Sequence, residues 1–177
     1  MSDDQLLDDL FKYVQAELNS ATSIAINTPI GLQLHRLAEA RHAATLTLLI
    51  PLLDHPDSEL RLDAVQLIGF HYPLDTDVLV EKLQYMLQCD PSPWIRLALV
   101  FVMGRIPLFP VDVLETTVAT DMDADVRQEA LLLLLKHYGL NEEQIQKIIR
   151  ILKRTLYRFI FVSAESVNNI IDNPETP

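Results

Sequence analysis

From Asp3 to Asn19 the apolar residues fall at Leu6, Leu7, Leu10, Phe11, Val14 and Leu18. This is the i, i+3, i+4 spacing of a helix with one apolar face. Its first residues are acidic, where the positive end of a helix dipole favours them. Ser20 to Thr28 is polar and β-branched and leads into Pro29, which predicts a loop followed by a helix start. Ile30 to Leu53 is helical in pattern and predicts two helices, broken near Arg41 or kinked at Pro51. After Gly139, Asn141-Glu142-Glu143 supplies an N-cap and first-turn acids for another helix, with Ile145, Ile148, Ile149, Leu152 and Leu156 on its apolar face. Tyr157 to Val162 is apolar enough to pack as a terminal cap, and Asp172 to Pro177 reads as a polar tail.

Between these flanks one pattern occurs three times. An acidic turn is followed by an amphipathic helix with an arginine in its first turn, at Leu60-Arg61, Ile95-Arg96 and Val126-Arg127. The arginines lie 35 and 31 residues apart. Ala64 and Ala130 stand three residues after the first and third, with Leu99 in the middle copy, and Gly69 and Gly104 stand eight after the first and second. Asp77-Val78-Leu79 recurs as Asp112-Val113-Leu114, each opening a further helix. Pro73 and Pro107 follow the glycines, and Gly139 follows the third copy, so these positions are read as helix stops. Two helices per period of this length is the signature of an α-solenoid. Leu62, Val65, Leu67 and Ile68 in one unit, and Leu99, Val100, Val102 and Met103 in the next, need a neighbouring pair to be covered. Ala64, Ala98 and Ala130 let helices approach closely. Asp57, Ser58 and Asp123 are positioned to cap the following helices. The arginines are expected to form a ladder with turn carboxylates such as Asp54, Asp90 and Asp121.

These residues resemble the HEAT family, in particular its short bacterial type: an acidic turn, an aliphatic-Arg pair, and a small residue three positions on. The resemblance covers roughly residues 40–139 and implies an all-α fold, a right-handed α-α superhelix with terminal capping helices. It implies one domain, with residues 1–28 an N-terminal cap and loop, 29–139 the repeats, 140–171 the C-terminal capping helices and 172–177 a tail. It further implies a non-catalytic protein-protein interaction module, an adaptor or scaffold whose concave surface comes from the second helix of each repeat. In this chain that surface is expected to draw on Val80 to Gln88 and Val113 to Ala119. Similar repeats occur in phycobilin lyase subunits, which makes an enzyme subunit one alternative. An acidic inhibitor or immunity-type protein is another. Some related solenoids are DNA glycosylases, which need a basic groove. Metal-dependent hydroxylases with HEAT-like repeats carry His-Glu dipeptides, whereas the five histidines here precede Arg36, Ala43, Pro56, Tyr72 and Tyr138.

Composition narrows the picture. A chain of 177 residues that is 49% hydrophobic with only 4 glycines can bury a core and is not of disordered type. Apolar runs such as Ala130 to Leu135 are too short to cross a bilayer, so no membrane partner is expected. Ser2, Asp3 and Asp4 are unlike a signal sequence, and Cys89 is the 1 cysteine, so a cytoplasmic protein without a disulfide framework is expected. The formal charge of -11 opposes nucleic-acid binding. Another protein or peptide is therefore the expected partner. The charge is uneven: residues 1–135 hold 20 of the 25 acids and 8 of the 14 bases.

Candidate chemistry is sparse. Asp121-x-Asp123-x-Asp125 opens like a calcium loop, but Val126 stands where glycine is needed and Leu132 where a bidentate glutamate is needed, so a solenoid turn is the better reading. His35, Glu39 and His42 share a helical face and could ligate a metal, against the plainer reading of a solvated face. Cys89, without a Cys or His partner motif, is read as a small buried hydrophobe. No phosphate loop, nucleophile elbow or zinc-spaced set is present, so no catalytic residue, metal or cofactor is assigned. His71-Tyr72 and His137-Tyr138 fall at equivalent helix ends, where histidine suits the dipole. Two candidates for partner binding remain. Trp94, the 1 tryptophan, lies between Pro93 and Ile95 and either packs under the turn or anchors a partner. Lys147, Arg150, Arg154 and Arg158 share one helical face, either a solvated surface or a dock for an acidic segment or a phosphate-bearing ligand.

Overall fold

A computed structural model describes residues 3–18, 24–107 and 110–156, with the side chains of 3, 4 and 152–156 left aside. Among the described residues every regular element is a helix. These are α1 (Asp3–Leu18), α2 (Pro29–Glu39), α3 (Thr45–Leu52), α4 (Ser58–His71), α5 (Asp77–Cys89), α6 (Pro93–Met103), α7 (Val111–Thr120), α8 (Ala124–His137) and α9 (Glu142–Leu156). The segments expected to form a terminal cap and tail, Tyr157 to Val162 and Asp172 to Pro177, lie outside the described residues.

The starts of the helices follow from capping chemistry. The Thr28 hydroxyl accepts from the Gly31 N–H at 3.0 Å and Pro29 sits at the first helical position. Asp57 accepts from the Glu59 N–H at 2.8 Å, and Asp123 accepts from the N–H groups of Asp125 and Val126 at 2.9 and 3.2 Å. Ser58 is not a cap; it is the first residue inside α4.

The break expected near Arg41 is a tight helix stop. The Arg41 N–H donates to Ala38 O and the His42 N–H to Leu37 O, at 2.9 and 3.0 Å, with Arg41 at φ 52°. The end of α8 has the same pattern, with Gly139 at φ 80° and bonds from Gly139 N–H to Lys136 O and Leu140 N–H to Leu135 O. A side chain at left-handed φ costs roughly 1–2 kcal/mol, partly offset by the greater freedom a glycine loses on folding, roughly 0.5–1 kcal/mol. Arg41→Gly is therefore expected to stabilise the protein by about 0.5–1 kcal/mol, read as a higher urea midpoint. An unchanged or lower midpoint refutes the assignment of strain. Pro51 lies inside α3, which ends one residue later.

The helices form two rows. In one row α2, α4, α6 and α8 pack on each other in succession. The other row holds α3, α5 and α7, each packed on the even helix that follows it. Along that row α5 and α7 touch lightly and α3 and α5 barely meet. The core runs between the rows, through Leu34, Leu37, Ile68, Leu83, Leu99 and Leu135. A stack of helix pairs curves toward the row whose helices lie closer together. The inner face therefore draws on α4, α6 and α8, not on Val80 to Gln88 and Val113 to Ala119. The expected assignment is reversed because small residues lie in the even row. Gly69 is not a helix stop either: α4 continues to His71, and Gly69 is buried where α6 crosses it. α1 packs on α2, and α9 covers α8 with Ile145 and Ile148 buried.

Candidate functional site

The turn edge carries the arginine ladder. Arg61 grips Asp90 with two parallel bonds, Nε to Oδ2 at 2.9 Å and Nη2 to Oδ1 at 3.0 Å. Its Nη1 donates to the carbonyls of His55 and Pro56 at 2.8 and 2.9 Å. Arg96 repeats the arrangement on Asp121 at 2.8 and 2.9 Å, with Nη1 on Asp90 O at 2.7 Å. Arg127 Nη1 donates to Asp121 O at 2.6 Å. Each arginine thus binds a carbonyl of its own turn, and the first two reach the carboxylate of the next. The carboxylate bonds also push the arginines' pKa values upward, against the opposing effect of burial. Asp54 takes no part in the ladder; it pairs with Lys82 on α5.

This geometry disposes of the calcium reading. Asp121 is engaged by Arg96 and by the Asp123 N–H, and Asp123 caps α8. Among the described residues no three His, Cys, Asp or Glu side chains converge as metal ligands. The expectation that His35, Glu39 and His42 share a helical face fails because α2 ends at Glu39. His42 lies beyond the stop, 3.3 Å from both Thr45 and Asp8. His35 instead faces His71, with ring centroids 6.4 Å apart, and burial and then the neighbouring imidazole lower its pKa. Cys89 is exposed, not buried, because it falls one helical turn beyond Tyr85 on the outward side of α5.

Trp94 is the second residue of α6, not a turn residue packed inward. Its side chain is 68% exposed, alongside Phe101 at 52% and Phe70 at 56%. Together with Leu62, Gln66 and Leu97 they line an open groove of about 230 Å³ between α4 and α6. Arg105 lies over Phe70, with its guanidinium 5.7 Å from the ring centre and Nη1 donating to the Gly69 carbonyl. Phe70 and Phe101 are not singled out by the repeat pattern of the sequence. The signal for Phe101 was available, since Trp94, Leu97 and Phe101 follow i, i+3, i+7, one line along α6. It was hidden because α4 and α6 are apolar on several sides.

The other candidate is less complete. Lys147 and Arg150 are exposed on α9. Arg154 lies in the same helix with its side chain not described, and Arg158 lies outside the described residues. Of the four, Lys147 and Arg150 are thus the two whose side chains are described, one helical turn apart on α9.

Stacked helix pairs with a common inner row define an α-solenoid. A family model for HEAT repeats matches residues 46–135, from the first turn of α3 to the last turns of α8. The protein belongs to the HEAT-repeat family, whose repeats commonly bind other proteins and are typically not enzymes. Comparison with curated proteins and with solved structures gives no match. No helix among the described residues is long and apolar enough to cross a membrane.

Proposed function

We propose that this protein is a non-catalytic protein-binding module that docks its partner on the inner row of helices. The observation that carries this reading is the outward cluster of Phe70, Trp94 and Phe101 around one groove. Large aromatics grouped on a surface lose contact with water when a partner covers them, and such residues dominate interface energetics. The family's common role supports the same reading.

A photo-crosslinking residue placed at position 94 is expected to give a discrete protein adduct in extract of the native cell. The same residue at position 85, on the outer side of α5, is expected to give none. Phe101→Asp should abolish the adduct at position 94 while leaving the fold intact, because Phe101 is exposed. Equal labelling at both positions, or none at 94, sinks the proposal. The cations Lys147, Arg150, Arg154 and Arg158 form an accessory contact in this proposal, for an acidic stretch of the partner. Charge reversal at Arg150 that leaves the adduct yield unchanged removes them from it.

A further inference from the structure

The repeat register gives the groove a charge pattern that individual residues do not show. Setting Arg61, Arg96 and Arg127 in register aligns Glu59, Trp94 and Asp125, two positions before each arginine. Two positions after them stand Asp63, Ala98 and Glu129, and five after stand Gln66, Phe101 and Leu132. Trp94, Leu97, Ala98 and Phe101 thus form an apolar stripe along α6, the middle helix of the inner row. Glu59 flanks it on α4, where the Asp63 carboxylate already accepts a bond from the Ile24 backbone, and Asp125 and Glu129 flank it on α8. Glu59 and Asp125 are exposed, and Asp63 and Glu129 are partly so. Among the described residues none of the four is in an ion pair with a lysine or arginine. The three arginines of the same turns point into the ladder and leave this flank uncompensated. Cations appear only at the far end of the stripe, nine positions after the arginines, where Arg105 and Lys136 stand.

We propose that the stripe receives an amphipathic helix of a partner protein, with its apolar side on Trp94, Leu97 and Phe101 and with lysines or arginines along both edges. This rests on the protein-binding reading above and specifies the partner's chemistry. A helix laid in a groove offers residues at i, i+3, i+4 and i+7 to the stripe. Its flanking positions then come over the two acidic edges. Anionic or neutral helices with the same apolar side leave Glu59, Asp125 and Glu129 facing either like charge or a low-dielectric contact without a partner. The cationic helix is the occupant that matches both the apolar stripe and its borders. Arg105 and Lys136 require its cations to lie toward the Trp94 end.

Trp94 is the 1 tryptophan, so its fluorescence reports this site directly. Three Trp-free synthetic helices with one shared apolar side and flanks of Lys, Gln or Glu serve as probes, titrated against the full chain. The Lys-flanked peptide is expected to bind roughly tenfold tighter than the Gln-flanked one, the sum of a few exposed ion pairs. That advantage should shrink as salt rises. The double variant Glu59→Gln/Asp125→Gln should lose most of the preference for Lys while still binding the apolar side. Phe101→Ala should weaken all binding. If the Gln- or Glu-flanked peptide binds as well as the Lys-flanked one, the charge assignment is overturned and the protein-binding reading stands. If none of the three perturbs Trp94, the helical occupant is overturned. Loss of the crosslink at position 94 in native extract defeats the protein-binding reading separately.

Discussion

Asp90→Ala is expected to lower the free energy of unfolding by about 3–5 kcal/mol, the range for removing one partner of a buried ion pair. The side chains of Arg61 and Asp90 are only 10% and 5% exposed, so solvent cannot take over the role of the lost carboxylate. The guanidinium would keep the carbonyls of His55 and Pro56 but lose both charge-assisted bonds, and the Ser92 N–H would lose its acceptor as well. Asp90→Asn retains one acceptor without the charge and should fall between the two. Arg127→Ala gives the internal comparison. Among the described residues Arg127 forms no ion pair, and its one described side-chain bond goes to the Asp121 carbonyl. Its loss should cost less, about 1.5–3 kcal/mol, typical of a hydrogen bond from a charged group. Urea denaturation of the three variants checks the order. A cost for Arg127→Ala equal to that for Asp90→Ala means the carboxylates contribute nothing beyond the carbonyl contacts.

The second large effect is expected at Gly69. In an ordinary helix interior Gly→Ala gains up to about 1 kcal/mol. Here a Cβ would stand 2.3 Å from Val102 Cγ2 and 3.2 Å from Cγ1. Val102 is buried and β-branched, so it has little freedom to turn aside. The helices α4 and α6 would have to separate, and overpacking of this kind costs about 1–3 kcal/mol. Gly69→Ala is therefore expected to destabilise despite the better helix propensity. Paired with Val102→Ala, the new methyl occupies space the valine vacates. The double variant should be more stable than the two single effects predict, by about 1–2 kcal/mol of coupling. Additive effects in the cycle would show that close helix approach at this point is not what excludes a side chain.

The architecture was legible because it is repeated. One acidic turn followed by an arginine helix is a common arrangement, but three copies at 35 and 31 residues fix the phase of α4, α6 and α8. The ladder carboxylates Asp90 and Asp121 could be named from the same register. The direction of the pairing could not, because either the same or the next turn lies within reach of an arginine. Gly69 was misread for a related reason: it shares a repeat position with Gly104, yet one is buried inside a helix and the other caps one. Position in a repeat does not reveal what crosses it, and only the packing of Val102 does. Trp94 reads as a turn residue in the sequence because Pro93 precedes it. Proline at the first helical position instead starts α6, which puts the indole one residue inside the helix and facing out. His42 shows the limit of periodicity: its spacing from His35 fits a helical face, but the chain has already left the helix at Arg41.

The reach of Arg61 and Arg96 from their own turns to the next makes the ladder a directional coupling between neighbours. Two such couplings, Arg61 to Asp90 and Arg96 to Asp121, join three units in a line. A linear array held by nearest-neighbour links loses cooperativity at whichever link is weakest. In this chain the first two units share one link and the last two the other, so the middle unit, which bears Trp94, is tied on both sides. The aromatic stripe therefore sits on the part of the array last to open when either end frays, and the surface offered to a partner stays in place while the ends breathe.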